Sequence, residues 1–288
     1  MDGRTSLARG AVIAVLLGGC SAAEDPLDSS VAGGDPGFGH VHGLGLNPGD
    51  GLVYAATHFG VFRLEPSGPT RVADRYQDTM GFTVAGPDRF LGSGHPDMRE
   101  DKPVHLGLVL STDRAETWQT LSLEGQVDFH ALSTIGPTVY GWDAASGRVM
   151  RSDDTGATWL TGPELDVTDL AVDPDDAAHL FVAGSDGLSE SADGGVTFQP
   201  APTQPPQQLA YVRYLEASDI TRLVGVDTGG SVWIYTGGAW KEQGSLPAPP
   251  EAFTVAGAQL LAATAEGVFT SVDTGTSWQL LEASFTGE

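Results

Sequence analysis

The chain has 288 residues, with 14 Lys and Arg against 38 Asp and Glu, so its formal net charge is −24. This charge argues against nucleic-acid binding, and against electrostatic docking to an anionic membrane, because both need basic surfaces. Hydrophobic residues make up 40% of the chain, which excludes a wholly disordered protein, and its 39 Gly and 18 Pro favour short strands and tight turns over a helical bundle.

The N-terminus has the features of a targeting segment. Arg4 and Arg9 precede an apolar run at residues 11–17, which is too short to span a bilayer. Small residues then lead into Cys20, the single cysteine of the chain. This order resembles the lipobox of bacterial lipoproteins, whereas an ordinary secretory signal with an incidental cysteine is the alternative. The resemblance implies a signal peptide at residues 1–19, lipidation of Cys20, and an extracytoplasmic protein anchored to the bacterial cell membrane.

Residues 20–38 are rich in Ser, Gly, Pro and Asp, and they predict a flexible tether between the lipid and a folded domain at residues 39–288. Because acyl chains bind membranes through buried methylene groups, the acidic domain need not touch the lipid surface.

Four segments of the folded domain share the pattern S-x-D-x-G-x-[TS]-[WF]. Their first residues lie 41, 39 and 80 positions apart, which fits a period of about 40 residues with one unit lacking the motif. The motif resembles the Asp-box, or BNR repeat, of sialidases and related β-propellers, although Ala115 stands where the first copy should have glycine. The residues that carry it are Ser111, Asp113 and Trp118; Ser152, Asp154, Gly156 and Trp159; Ser191, Asp193, Gly195 and Phe198; and Ser271, Asp273, Gly275 and Trp278.

Short apolar strands recur around these motifs in six units of about 40 residues. A four-stranded sheet with two apolar faces is unstable alone, but six such sheets packed radially bury both faces. The sequence therefore predicts an all-β fold, a six-bladed β-propeller of four-stranded antiparallel blades. Within it, the Asp and Ser of each motif are predicted to hold a turn, and the Trp or Phe to pack between blades.

The phase of the repeat places His and carboxylate side chains at one end of the central channel. Imidazole nitrogens suit zinc or copper, and a thioether favours copper(I), so these side chains are candidate metal ligands. The alternative is that the histidines cap strand ends, and His105 and His179 are expected to be exposed and incidental. The candidate ligands are His40, His42, His58, His95, His130 and Met80.

The same end of the channel carries four acidic residues that could act as a carboxylate pair in glycoside hydrolysis. They are Asp143, Asp186, Asp227 and Glu266. Residues 54–63 (YAATHFGVFR) also resemble a first-blade stretch of xyloglucanase-like hydrolases, but His58 stands where that family has a catalytic aspartate. The arginine cluster of sialidases has no counterpart that spacing identifies.

The sequence thus favours a lipid-anchored propeller that binds a ligand at the His- and Asp-lined face of its channel. A metal ion, a glycan and a protein partner are all candidate ligands. A glycoside hydrolase of sialidase-like or xyloglucanase-like type is the alternative.

Overall fold

A computed structural model describes residues 35–217 and 220–283, and the regular structure of these residues is all β-strand. The predicted signal peptide, Cys20 and residues 20–34 of the predicted tether lie outside the described residues. Within the described ranges, no helix is long and apolar enough to cross a membrane.

The strands form six sheets, each of four strands that are consecutive in the chain and antiparallel to their neighbours. This arrangement confirms the predicted six-bladed β-propeller. Blades 1 to 3 consist of β1 Val41–Leu46, β2 Val53–Thr57, β3 Gly60–Glu65 and β4 Gly68–Arg71; β5 Asp78–Gly86, β6 Arg89–His95, β7 Leu108–Ser111 and β8 Gln119–Ser122; β9 Phe129–Ile135, β10 Thr138–Asp143, β11 Arg148–Ser152 and β12 Leu160–Glu164. Blades 4 to 6 consist of β13 Asp169–Val172, β14 Leu180–Gly184, β15 Gly187–Ser191 and β16 Gln199–Pro200; β17 Leu209–Ala217, β18 Ile220–Asp227, β19 Ser231–Thr236 and β20 Ala239–Ser245; β21 Pro250–Ala256, β22 Gln259–Thr264, β23 Gly267–Ser271 and β24 Gln279–Ala283.

The first strand of each blade lies innermost, and these six strands form a closed ring. β1 packs against β5 on one side and against β21 on the other, so blade 6 meets blade 1. Leu261 and Val268 of blade 6 share a buried cluster with Val41 and Phe62 of blade 1. The ring therefore closes through side-chain packing between whole blades, since every sheet contains only consecutive strands.

Burial on both faces explains the composition of the strands. All five residues of β2 (VYAAT) and of β14 (LFVAG) are buried, because each blade packs against a neighbour on either side. The core is accordingly divided into six hydrophobic clusters, one at each junction between blades. Continuous apolar runs are therefore required where an exposed sheet would show alternation.

Glycine allows the innermost strands to approach one another closely. A Cβ atom on Gly81 of β5 would lie 2.3 Å from the carbonyl oxygen of Phe129 in β9. A Cβ on Gly43 of β1 would lie 2.9 Å from the Cβ of Phe82 in β5. Side chains at these positions would push neighbouring blades apart, so glycine is needed there for close packing.

The four S-x-D segments adopt one hydrogen-bonded turn between the third and fourth strands of their blades. In each copy the serine hydroxyl donates to the aspartate Oδ1 at 2.8 Å and accepts the amide of the residue four positions after it. The aspartate also accepts the amide and the hydroxyl of the Thr or Ser four positions beyond itself. Both carboxylate oxygens are thus engaged in hydrogen bonds within the turn.

The aromatic residue that ends each motif packs at a junction with the preceding blade. Trp118 contacts the cluster between blades 1 and 2, and Trp159 the cluster between blades 2 and 3. Phe198 and Trp278 occupy the corresponding places in blades 4 and 6. Each motif therefore combines a local turn with a contact between blades.

The described chain makes its first contacts with blade 1 ahead of β1. Asp35 accepts a hydrogen bond from the Arg71 guanidinium at 2.6 Å, and Phe38 is buried with its ring 4.8 Å from that of Phe62. These contacts attach residues 35–38 to β3 and β4 of blade 1.

Candidate functional site

The six innermost strands enclose a central channel with a cavity of about 900 Å³. We call the end at which these strands begin the channel mouth. Polar side chains from several blades line the cavity there, together with Met80: His40, His42, His130, Asp169, Arg213 and Glu251. The second strands of the blades end at the same side, since in the pairing of β1 with β2 Val41 lies opposite Thr57.

Two histidines and an aspartate meet at the junction of blades 1 and 2, and we call this group the first histidine cluster. His42 lies in β1, His58 directly follows β2, and Asp78 begins β5. His42 Nε2 lies 3.2 Å from His58 Nδ1 and 3.4 Å from Asp78 Oδ1, while His58 Nδ1 lies 3.2 Å from the same oxygen. The three atoms therefore form a nearly equilateral triangle.

The protonation states of His42 and Asp78 suit metal coordination. Burial lowers the pKa of the His42 imidazole, so it is neutral at pH 7 and has a lone pair to offer. Although burial opposes it, hydrogen bonding from His42 and His58 holds the pKa of the Asp78 carboxyl well below its usual range. The hydrogen bond to Asp78 raises the pKa of His58, so a metal ion bound there would have to displace a proton from this imidazole.

His40 extends the first histidine cluster toward blade 6. Its ring centroid lies 4.9 Å from that of His42 and 5.9 Å from that of His58. Its Nδ1 lies 3.6 Å from Oε2 of Glu251, and the same oxygen accepts the Val41 amide at 3.1 Å. Glu251 therefore ties the start of β1 to blade 6 where the ring closes.

A comparable group lies at the junction of blades 2 and 3, and we call it the second histidine cluster. It consists of His95 at the end of β6, His105 in the loop that follows, and Asp128 just before β9. His130 of β9 contacts Asp128 Oδ2 at 2.9 Å. In each of these two clusters, the three ligand-type atoms lie within 4.8 Å of one another.

The predicted metal ligands thus divide into two groups. His40, His42 and His58 come together at one junction, while His95 and His130 lie at the next. Met80 lines the channel, and the donors that converge in the two clusters are imidazole and carboxylate. Such sets match zinc and other borderline metals better than copper(I), which prefers sulfur.

Sequence reasoning missed four members of these groups or gave them another role. His105 was expected to be exposed and incidental, but only 30% of its side chain is exposed and its Nδ1 lies 3.9 Å from Asp128 Oδ2. Glu251 was not considered, because its contact with His40 spans the closed ring. Asp78, which begins β5, and Asp128, which precedes β9, were placed at the channel mouth without being assigned as ligands.

Two of the four candidate catalytic carboxylates are engaged in turns. Asp143 is 3% exposed and accepts the amide of Asp128, the amide of Ala145, and both the amide and hydroxyl of Ser146. Asp227 is 5% exposed and accepts the amides of Gly229 and Ser231 and the indole of Trp233. Asp186 and Glu266 are exposed in the turns after β14 and β22.

The comparisons with known proteins begin with the sequence. No protein-family model matches the chain. It is 29% identical over 153 residues to the dispase autolysis-inducing protein of Streptomyces mobaraensis, covering 53% of this chain and 38% of that protein. It is 28% identical over 178 residues to a xyloglucanase of Hypocrea jecorina, covering 56% of this chain and 18% of the enzyme. The chain therefore spans less than half the length of each of these curated relatives.

Solved structures show the same propeller fold. A GH74 xyloglucanase from Xanthomonas campestris matches with a TM-score of 0.56 and 21% identity, over 85% of this chain and 45% of the enzyme. A gluconolactonase from Xanthomonas campestris matches with a TM-score of 0.62 and 14% identity, over 79% of this chain and 84% of that protein. At these identities the likeness concerns the fold, which several activities share.

Proposed function

We propose that this chain is a metal-binding β-propeller that holds a divalent transition metal ion, with zinc as the best match, at His42, His58 and Asp78. The observation that carries the proposal is the triangle of two imidazole nitrogens and one carboxylate oxygen, with sides of 3.2, 3.2 and 3.4 Å. Zinc bonds of about 2.0–2.1 Å to nitrogen and oxygen place tetrahedral ligands about 3.3–3.4 Å apart. The triangle therefore has the dimensions of one face of a zinc tetrahedron.

Hydrogen bonding alone explains this arrangement less well. Two imidazole nitrogens that face each other at 3.2 Å share at most one proton, and each also faces the same carboxylate oxygen. A cation at the centre of the triangle satisfies all three groups at once. Three protein ligands leave a fourth position open, which is typical of zinc sites that bind water or a further ligand.

The surroundings support access to that fourth position. The His58 side chain is 44% exposed, whereas the His42 side chain is only 10% exposed. His42 also lines the central cavity of about 900 Å³. A ligand that enters the channel mouth could therefore reach a metal ion held there. A glycan and a protein partner are both candidates for that ligand.

Metal titration tests the proposal directly. The full chain is stripped with a chelator and titrated with zinc and copper(II) by calorimetry, beside His58→Ala and His42→Ala. Each variant should bind one equivalent fewer than the natural sequence. His179→Ala is the matched control, because His179 pairs with Asp173 in blade 4, away from the channel ligands. Equal stoichiometry in all the proteins would overturn the proposal.

Glycoside hydrolysis is the second candidate, and the sequence similarity to a xyloglucanase favours it. Among the four candidate carboxylates, Asp186 and Glu266 are exposed and accessible to a substrate. Release of reducing sugar from xyloglucan that is lost in Asp186→Asn or Glu266→Gln would establish this activity. Absence of turnover by protein that binds metal would favour a binding role.

We further propose that the protein is anchored through lipid on Cys20 on the extracytoplasmic side of a bacterial membrane. The order of charged, apolar and small residues ahead of that cysteine supports this. With a net charge of −24, the domain would not be held by anionic lipids, so acyl chains would supply the attachment.

A further inference from the structure

The connection between β6 and β7 differs from its counterparts in the other blades. β6 ends at His95 and β7 begins at Leu108, whereas only residues 58 and 59 separate β2 from β3. We call residues 96–107 the blade 2 loop. The loop returns to the sheet through the Leu106 amide, which donates to the Gly94 carbonyl at 2.8 Å. It thereby brings His105 back beside His95 at the channel mouth.

His95 is oriented with one ring nitrogen available. Its Nδ1 lies 2.9 Å from the carbonyl oxygen of Val104, and a carbonyl only accepts, so Nδ1 carries the proton. In the neutral ring, Nε2 then has the free lone pair, and it lies 3.7 Å from Asp128 Oδ2. A cation between this lone pair and the carboxylate would satisfy both groups, and metal-binding histidines commonly donate their other N–H to a backbone carbonyl.

Asp128 and the Nδ1 atom of His105 are buried. Asp128 is 6% exposed, and within the described part of the chain neither its Oδ1 nor His105 Nδ1 has a hydrogen-bond partner. The other carboxylate oxygen of Asp128, Oδ2, lies 2.9 Å from Nε2 of His130. A buried charge with an unpaired oxygen is costly, and a cation bound at this point removes that cost.

We propose that His95, His105 and Asp128 form a second site for a divalent transition metal ion, separate from the first histidine cluster, that pins the blade 2 loop to blade 3. The ligands come from the end of β6, from the loop and from the segment before β9. His130 acts as a positioning residue, because its 2.9 Å contact holds the carboxylate toward the two imidazoles. The site shares no residue with His42, His58 and Asp78, so each proposal can fail without the other.

The first experiment isolates this site. The full chain carrying both His42→Ala and His58→Ala is stripped of metal and titrated with zinc by calorimetry. We expect one equivalent to bind, and adding His105→Ala to weaken its Kd at least tenfold. His105 lies in a loop with 30% of its side chain exposed, so this variant should fold, and circular dichroism checks that it does. His179→Ala in the same background should leave the Kd unchanged.

A second measurement tests whether bound zinc fixes the blade 2 loop in place. Trypsin can cut after Arg99, whose side chain is 57% exposed in the blade 2 loop. Zinc should slow that cut severalfold in the His42→Ala/His58→Ala protein, and should have no effect once His105→Ala is added. The second site would be overturned if the His42→Ala/His58→Ala protein bound no zinc, or if adding His105→Ala left its zinc Kd unchanged. In that case His105 and Asp128 form an ordinary ion pair.

Discussion

Trp159 offers the sharpest test of how the blades are joined. Its ring lies 4.9 Å from that of Phe129 within blade 3, and it packs on the cluster that includes Leu108 of blade 2. Its indole N–H donates to Ser122 Oγ at 2.9 Å and to the Gly156 carbonyl at 3.1 Å. Removing the ring in Trp159→Ala should therefore cost about 3–5 kcal/mol of the free energy of unfolding.

The hydrogen bonds can be separated from the packing by comparing two phenylalanine variants. Trp159→Phe keeps most of the ring but removes the donor, at a cost of about 1 kcal/mol, because Ser122 still donates to Gly156. Trp278 occupies the same place in blade 6, but its buried N–H has no partner. Trp278→Phe removes an unsatisfied donor, so it should cost less than Trp159→Phe by about 1–2 kcal/mol.

Urea denaturation of the natural sequence and the three variants, followed by tryptophan fluorescence and circular dichroism, measures these differences. The expected order of destabilisation is Trp159→Ala, then Trp159→Phe, then Trp278→Phe. A Trp278→Phe variant that is destabilised as much as Trp159→Phe would refute the reasoning about the unpaired donor. A cost near zero for Trp159→Ala would refute the role of the ring between blades.

Three further outcomes are expected. Hydrogen bonds in the turn of blade 3 lower the pKa of Asp154 to about 2 from its ordinary 3.8, so the contribution of this carboxylate to stability is present above about pH 4 and is lost as the pH falls toward 2. The difference in Tm between the natural sequence and Asp154→Asn should therefore shrink over that pH range. A constant difference would contradict the assignment. Gly81→Ala places a methyl group 2.3 Å from the Phe129 carbonyl oxygen and should destabilise by about 1–3 kcal/mol, whereas an unchanged Tm would mean that the innermost strands can separate freely. Cys20→Ser should move the protein from the membrane fraction to the soluble fraction, and retention in the membrane would contradict lipid anchoring.

The fold was predictable because its determinants are local and repeated. Each S-x-D motif contains the donors and acceptors of its own turn, so the pattern specifies the same geometry in four blades. The runs in β2 and β14 are apolar at every position because both faces of a blade are covered. A period of about 40 residues then gives the number of blades directly.

The site was predictable only in part, because side-chain partners depend on geometry that the repeat does not encode. The phase of the repeat placed His58 and His95 at the same end of the channel. It cannot predict where the longer connection between β6 and β7 places His105. Asp143 and Asp227 occupy similar places in later blades and yet cap the turns that follow them. The small residues after each, Ala-Ala-Ser-Gly and Thr-Gly-Gly, favour an Asx turn and were the available signal.

The partners of the aspartates at the channel mouth explain why we propose metal binding only at the junction of blades 1 and 2 and at the junction of blades 2 and 3. Three successive innermost strands, β5, β9 and β13, begin at or directly after an aspartate: Asp78, Asp128 and Asp169. The first two face imidazoles, whereas Asp169 is buried against the Arg213 guanidinium, which lies in direct contact with it. A guanidinium carries its own charge and has no lone pair to give, so it neutralises a carboxylate and cannot join it as a ligand. Histidine opposite Asp78 and Asp128 leaves these carboxylates available to a cation, whereas arginine opposite Asp169 already neutralises that carboxylate. The proposed metal binding therefore depends on the residue opposite each aspartate, not on the propeller fold itself.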